Sequence, residues 1–316
     1  MIGMTGKKLA LVFPGQGSQA VGMMKPYAES PAVRSVFAEA SDVLGENLWA
    51  LVSEGPADAL DATINTQPVM LAAGYATYRA WLEAGGGEPA VVAGHSLGEY
   101  TALVVAGVLS FRDALPLVRF RAQAMQEAVP MGEGAMAAVL GLDDDAVRKA
   151  CVQAAQGEVV EAVNFNAPNQ VVIAGHKRAV ERGAIAVKAA GARRAVMLPV
   201  SAPFHSSLLE PAAHRLAERM STITFNEPAI PVINNVDVAT VTAPADIRAA
   251  LARQACRPVR WVEVIRALHT RGVTDVIECG PGKVLAGLTR RIEPALSGHS
   301  ISDPQALASA LAATSE

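Results

Sequence analysis

The chain has 316 residues, a hydrophobic fraction of 51% and a formal net charge of −3 from 27 basic and 30 acidic side chains. That much apolar sequence can bury a large core, in one big α/β domain or in two lobes. Near-balanced charge, no basic tract and 4% aromatic residues exclude a nucleic-acid binder built on a charged footprint or a stacking platform. The three cysteines, Cys151, Cys256 and Cys279, are odd in number and far apart. They form neither a disulfide framework nor a metal-ligand spacing, so we expect no metal and a reducing compartment. Residues 1–8 lack the apolar stretch of a secretory signal, and no run is long enough to span a bilayer. We therefore expect a cytoplasmic protein with no membrane partner.

In chain order, residues 8–13 read as a buried strand running into the loop Pro14-Gly15-Gln16-Gly17-Ser18-Gln19. A helix over 68–84 is stopped by Gly85-Gly86-Gly87. A strand over 89–93 leads through a turn into a buried helix over 100–106. Ser110 with Asp113 forms a capping box for a helix reaching about residue 128, and Pro116 within it implies a kink or a later start. Residues 134–200 follow the order β-α-β-β-α-β, the split βαβ of ferredoxin-like domains. Their strands fall at 135–140, 159–165, 170–174 and 194–200, and their helices at 143–156 and 177–190. A loop over 201–207 precedes a helix over 208–220, a strand over 230–235, helices over 246–255 and 262–271, a strand over 275–278 and a helix to 291. The tail from Ser297 is small and polar, and is expected to be loosely held. The fold class is α/β, with residues 131–200 as an inserted small subdomain and residues 1–130 and 201–316 as the large one.

The segment Gly94-His95-Ser96-Leu97-Gly98 carries the chemistry. A serine in a G-x-S-x-G frame between a strand and a helix sits on a sharp turn that lifts its hydroxyl clear of the sheet. The turn also puts the amide of Leu97 at a helix N-terminus, where N–H groups are unpaired and the dipole favours an anion. That amide can bind the oxyanion formed when Ser96 attacks a carbonyl carbon. The alternative is a structural turn. The Gly15-Gln16-Gly17 loop lacks the endings of phosphate or dinucleotide loops. Following a strand, it can instead present the main-chain N–H of Gln16 as a second oxyanion donor.

A nucleophilic serine needs a base, and there are six histidines. His95 adjoins Ser96 but leaves the strand on the opposite face. His176 and His299 sit in turn-like or tail contexts, and His214 and His269 on surface-like helices. His205, in Pro203-Phe204-His205-Ser206 where the small subdomain returns to the large one, lies where clefts form. It is either structural or the base. The acids between serine and histidine in chain order, among them Asp143, Glu158, Glu161 and Glu181, are poorly placed to orient it, which leaves a backbone carbonyl. Arg121 falls within the apolar stripe of its helix. A buried charge needs a partner, either an internal salt bridge or the carboxylate of a substrate held by two parallel hydrogen bonds.

Taken together these segments resemble the malonyl-CoA:acyl carrier protein transacylase family, almost end to end. Phe13-Pro14-Gly15-Gln16-Gly17-Ser18-Gln19, Gly94-His95-Ser96-Leu97-Gly98-Glu99-Tyr100 and Arg121 followed by Met125 match in order. So do Asn164-Phe165-Asn166-Ala167-Pro168-Asn169, Ser201-Ala202-Pro203-Phe204-His205-Ser206, Val232-Ile233-Asn234-Asn235-Val236, Gln254 ahead of Pro258-Val259-Arg260-Trp261, and Gly280-Pro281-Gly282. The resemblance implies a hydrolase-like α/β core with a ferredoxin-like insertion and a Ser96–His205 dyad. It implies that His205 is oriented by the main-chain carbonyl of Gln254, that Arg121 binds the substrate carboxylate, and that Met125, Phe204 and Asn166 line the pocket. Malonyl would pass from malonyl-CoA through a malonyl-serine ester to the 4'-phosphopantetheine thiol of holo acyl carrier protein, with no bound cofactor. Phe204 also resembles the pattern of malonyl-selective acyltransferases of polyketide synthases. We expect a monomer that docks the acidic carrier protein on basic residues drawn from Lys188, Arg193, Arg194, Lys283, Arg290 and Arg291. The competing readings are a serine esterase or thioesterase, a non-catalytic carrier-binding protein, and a discrete acyltransferase of polyketide or malonate metabolism.

Overall fold

The computed structural model describes residues 7–200 and 202–315. Ser201, at the head of the histidine segment, lies outside the described residues. In chain order the elements are β1 (Leu9–Phe13), α1 (Pro31–Leu44), α2 (Leu48–Glu54), α3 (Ala57–Asp61), α4 (Thr63–Glu83), β2 (Val91–Gly94), α5 (Gly98–Val105) and α6 (Phe111–Glu127). Then come β3 (Gly134–Leu140), α7 (Asp144–Ala155), β4 (Val160–Ala167), β5 (Gln170–His176), α8 (Lys177–Ala189) and β6 (Arg194–Met197). The chain ends with α9 (Glu210–Ser221), β7 (Val232–Ile233), α10 (Pro244–Ala255), α11 (Trp261–Thr270), β8 (Asp275–Glu278), α12 (Val284–Ile292), β9 (Ser297–Ser300) and α13 (Pro304–Thr314).

β1 and β2 are apolar on every residue because both of their faces are covered by helices, the usual condition of a parallel sheet. Five parallel strands run in the order β7-β2-β1-β8-β9. The four antiparallel strands β4-β5-β3-β6 form a second sheet with the connectivity expected of a ferredoxin-like unit. One face of that sheet packs under α7 and α8 through Val139, Val147, Ile173 and Val187. The other face presents Met136, Val163, Val172 and Ala174 to Leu198, Val200 and Phe204. Main chain ties β4 to the segment between α10 and α11: the N–H of Phe165 donates to Val259 O (3.0 Å) and that of Val259 to Val163 O (2.8 Å). Among the described residues, no helix is long and apolar enough to cross a membrane.

Four expectations are corrected. The tail from Ser297 is not loosely held: β9 pairs with β8, Asp303 caps α13, and Leu307 and Ala310 reach the main core beside fully buried Ile301. Its small polar composition hid an apolar spacing of three. The helix carrying Pro116 starts at Phe111 without delay, because the Ser110 hydroxyl caps the N–H of Asp113 (3.0 Å) and outweighs one missing backbone donor. The helix expected at 68 begins at Thr63, so Pro68 sits inside its first turns. The strand expected to reach 200 ends at Met197, releasing Leu198 and Val200 toward the site.

Leu307→Ala should lower the free energy of unfolding by about 2–3 kcal/mol in urea denaturation followed by circular dichroism. An unchanged midpoint would mean that the tail contributes nothing to the core.

Candidate active site

Ser96 occupies the left-handed region at φ 52°, as does His205 at φ 66°. For residues other than glycine such conformations cost of order 1–3 kcal/mol each and persist only where the surroundings impose them. At Ser96 the surroundings are glycines. A Cβ on Gly94 would lie 1.9 Å from Gly98 C, one on Gly98 2.0 Å from Phe13 O, and one on Gly15 2.6 Å from His95 O. The turn therefore closes directly against β1 and its loop. The Ser96 N–H donates to Asn235 Oδ1 (2.7 Å), and the Ser96 carbonyl accepts from Gln254 Nε2 (2.9 Å).

The Ser96 hydroxyl donates to His205 Nε2 at 2.7 Å. His205 Nδ1 lies 2.7 Å from the main-chain oxygen of Gln254. A carbonyl only accepts, so Nδ1 carries the ring proton and Nε2 is left as the acceptor. Burial and the neighbouring Arg121 cation push His205 down to about 3, which keeps the base neutral. Glu161, one of the acids that looked poorly placed, holds this loop: its carboxylate accepts from the Ser207 N–H and hydroxyl, both at 2.8 Å. His95 turns away from the dyad, bonding Asn166 Oδ1 at 2.8 Å and packing edge-on to Trp261.

Arg121 is 2% exposed, yet none of the ion pairs among the described residues includes it. The salt-bridge reading is not met. Its Nη1 donates to Gln67 Oε1 (2.9 Å) and its Nη2 to Gln254 Oε1 (3.0 Å) and Ser96 Oγ (3.1 Å). Its Nε–H has no partner among the described residues. The guanidinium also lies over the Tyr100 ring at 5.4 Å. A cation this deeply buried and held only by neutral groups is set to receive an anion.

A cavity of about 120 Å³ surrounds the dyad, lined by both subdomains. Gln16, Leu97, Arg121, Met125, Phe204 and His205 all line it, as expected. Neither Gln16 nor Leu97 gives its main-chain N–H to a described protein atom, so both remain available to an oxyanion. Asn166 is not in the lining. Asn164, two residues earlier on β4, lines the cavity instead, and among the described residues its buried Oδ1 has no partner. The expected pocket asparagine is thus shifted by one period of the strand, because Asn166 is spent on His95. A broader depression of about 580 Å³ beside Arg34 and Trp49 holds no nucleophile and base pair.

The sequence reading missed Gln67, Glu99 and Asn235, which bind the working residues through side chains. Glu99 had a visible signal, an acid in an otherwise apolar run, whereas Gln67 follows the largely polar stretch Thr63-Ile64-Asn65-Thr66, ahead of the expected helix start. The side chain of Gln254 is also more than a bystander to its carbonyl. Gln254→Ala should slow acylation of Ser96 by ~10²-fold, as misplacement of neighbouring groups does. A mild effect in stopped-flow acylation would mean that only the carbonyl matters. Because burial depresses His205, the neutral base persists as pH falls through the ordinary imidazole range near ~6.5. Labelling of Ser96 by a neutral fluorophosphonate should change by less than about threefold between about pH 7.5 and 5.5. A midpoint near 6.5 would show a solvent-like histidine.

Residues 10–302 match the family model described as an acyl transferase domain. The chain is 55% identical over 305 residues to the malonyl CoA-acyl carrier protein transacylase of Escherichia coli K12, covering 96% of this chain and 99% of that one. It is 44% identical to the enzyme of that name from Bacillus subtilis, covering 95% of each. The crystal structure of an acyl-carrier-protein S-malonyltransferase from Burkholderia pseudomallei superposes with a TM-score of 0.95 at 61% identity, over 96% of this chain and 99% of that chain. A malonyl-transacylase solved in complex with a type II polyketide acyl-carrier protein superposes with a TM-score of 0.95 at 51% identity, over 97% and 99%. The chain belongs to the acyl transferase family, with a nucleophile elbow and a ferredoxin-like subdomain facing each other across one cavity.

Proposed function

We propose that this protein moves a malonyl group from malonyl-CoA to the phosphopantetheine thiol of acyl carrier protein through a malonyl-serine ester, supplying extender units for fatty acid synthesis. The observation that carries the reading is Arg121, a buried guanidinium with no carboxylate partner, 3.1 Å from the nucleophilic oxygen. A malonyl group has one methylene between carboxylate and thioester carbon. It is short enough to touch Arg121 and Ser96 together.

Ser96 Oγ attacks the thioester carbon as His205 Nε2 takes its proton, and the amides of Leu97 and Gln16 hold the oxyanion. The C–S bond breaks, and the CoA sulfur leaves with the proton from His205. The carrier thiol then gives its proton to His205 and attacks the ester carbon. The ester C–O bond breaks, and Ser96 recovers the proton. Every group needed lies on this chain or its two substrates. Met125 and Phe204 form apolar walls of the pocket. Relatives named for acyl carrier protein, and one solved with its carrier protein, support that partner.

We propose that the protein acts as a monomer. The three cysteines are unpaired and buried, which supports a reducing, cytoplasmic setting. The large subdomain is assigned to residues 1–130 and 201–316 and the small one to 131–200.

Intact-protein mass spectrometry after mixing with malonyl-CoA should reveal a malonyl adduct on Ser96 that persists in water and is discharged by holo carrier protein. Ser96→Ala should abolish it. Arg121→Ala should slow malonyl transfer ~10²-fold or more, the loss expected for charge-assisted hydrogen bonds, and spare acetyl transfer. An adduct that hydrolyses without the carrier would instead mark a thioesterase, and unchanged malonyl kinetics in Arg121→Ala would remove the carboxylate clamp.

A further inference from the structure

Glu99 is a carboxylate that none of the reaction steps uses, although it is 2% exposed and three residues from the nucleophile. It lies in the first turn of α5, in an otherwise apolar run. It is not salt-bridged to Arg121. Instead a single oxygen, Oε2, accepts two hydrogen bonds, from the Asn235 N–H and from Gln254 Nε2, both at 2.9 Å.

Those two donors are the two clamps of the elbow. Asn235 holds the Ser96 N–H through Oδ1 at 2.7 Å and holds Gly94 O through Nδ2 at 2.8 Å. Gln254 gives its other Nε2 hydrogen to the Ser96 carbonyl, accepts from Arg121 on Oε1, and supplies the main-chain oxygen that orients His205. Asn235 and Gln254 are both fully buried, so an unpaired donor on either would find no water to replace the lost bond. We infer that Glu99 is the positioning residue of this site, one acceptor oxygen that fixes, through Asn235 and Gln254, the left-handed backbone of Ser96, the aim of Arg121 and the carbonyl behind His205.

What the position needs is an acceptor at the right reach. A glutamine offers an equivalent oxygen with two lone pairs. An aspartate keeps the charge but draws the oxygen back by one methylene. A leucine keeps the bulk and removes the acceptor. The inference rests on the reading of Ser96, His205 and Arg121 as the working set, and the test separates the two. Serine reactivity is read with a neutral fluorophosphonate, which does not depend on the acyl donor. Malonyl-CoA and acetyl-CoA acylation rates are compared in parallel. Rates are expressed per folded molecule from circular dichroism.

Glu99→Gln should stay within about threefold of wild type in labelling and in the malonyl-to-acetyl ratio. Glu99→Asp should label ~10²-fold more slowly and lose about tenfold or more of that ratio, the scale of a misplacement of about 1 Å. If Glu99→Asp does not fold, Glu99→Leu carries the same expected losses. Wild-type labelling in Glu99→Asp or Glu99→Leu would overturn the inference. So would a loss explained wholly by the folded fraction with the ratio unchanged, or a loss beyond about tenfold in Glu99→Gln, which would make the charge decisive. Wild-type protein that takes the fluorophosphonate but no malonyl would sink the malonyl reading and leave the Glu99 comparison intact.

Discussion

The site depends on how closely the elbow is pressed onto β1. Gly94, Gly98 and Gly15 each lie where a Cβ would collide with backbone, so β2, the turn and the start of α5 touch β1 with nothing between them. That closeness pushes Ser96 to φ 52° and brings the Gln16 loop alongside the amide of Leu97. The cost of the left-handed serine is local, while the forces that hold it are distributed. Its N–H and carbonyl are each bonded by a side chain from a distant segment, Asn235 after β7 and Gln254 at the end of α10. The Ser96 hydroxyl, the Leu97 amide, the Gln16 loop and the scaffold thus share one geometric constraint.

The electrostatics follow from burying a cation beside a base. Arg121 is surrounded by amide oxygens, a hydroxyl and an aromatic face, which solvate it without neutralising it. Its field and the burial of the ring both disfavour a charged His205. A side-chain acid behind His205 would add to the Glu99 carboxyl already bonded to Gln254, and would compete with a substrate carboxylate for Arg121. The carbonyl of Gln254 orients the ring without adding charge. Absence of the usual third acid and presence of a free guanidinium are in this sense one design.

Much of this was legible in the sequence, and the rest was not for identifiable reasons. Ser96 stood out because a tight strand-to-helix turn requires small residues at fixed spacing, a local property. The ferredoxin-like order was legible because its strands and helices have clear periods and caps, such as Asp143 on α7. The helices over 31–61 leave a weaker mark, since α2 and α3 are short and the run is interrupted by Gly45 and Gly55. The tail was misread because burial of Ile301 and Leu307 depends on partners nearly three hundred residues away, such as Tyr27, whose hydroxyl donates to Ile301 O. Asn166 and Asn164 are two asparagines one strand period apart, and only their partners show which of them lines the cavity. Glu99 and Asn235 lie inside segments that resemblance alone marked, and only their mutual bonds reveal what they hold.

The division into two sheets determines what acyl group the proposed chemistry would accept. The large subdomain contributes Ser96, on the turn after β2, and Arg121, on α6, while the antiparallel unit contributes Met136, Asn164, Leu198 and Val200 as the opposite wall. That wall belongs to an apolar cluster including Val163, Val172 and Phe204, so it is packed rather than open. A volume of about 120 Å³ is a little below the roughly 150 Å³ of a cavity that holds a benzene ring. It suits the six non-hydrogen atoms of a malonyl group and cannot take a long acyl chain. Size and charge therefore select in different ways. The wall rejects what is too long, and Arg121 leaves a short neutral acyl group with its buried cation unpaired, which costs binding energy. The larger parts of both substrates must then stay outside the cavity, with only a thioester end entering, which is the access that a carrier thiol on a flexible arm needs.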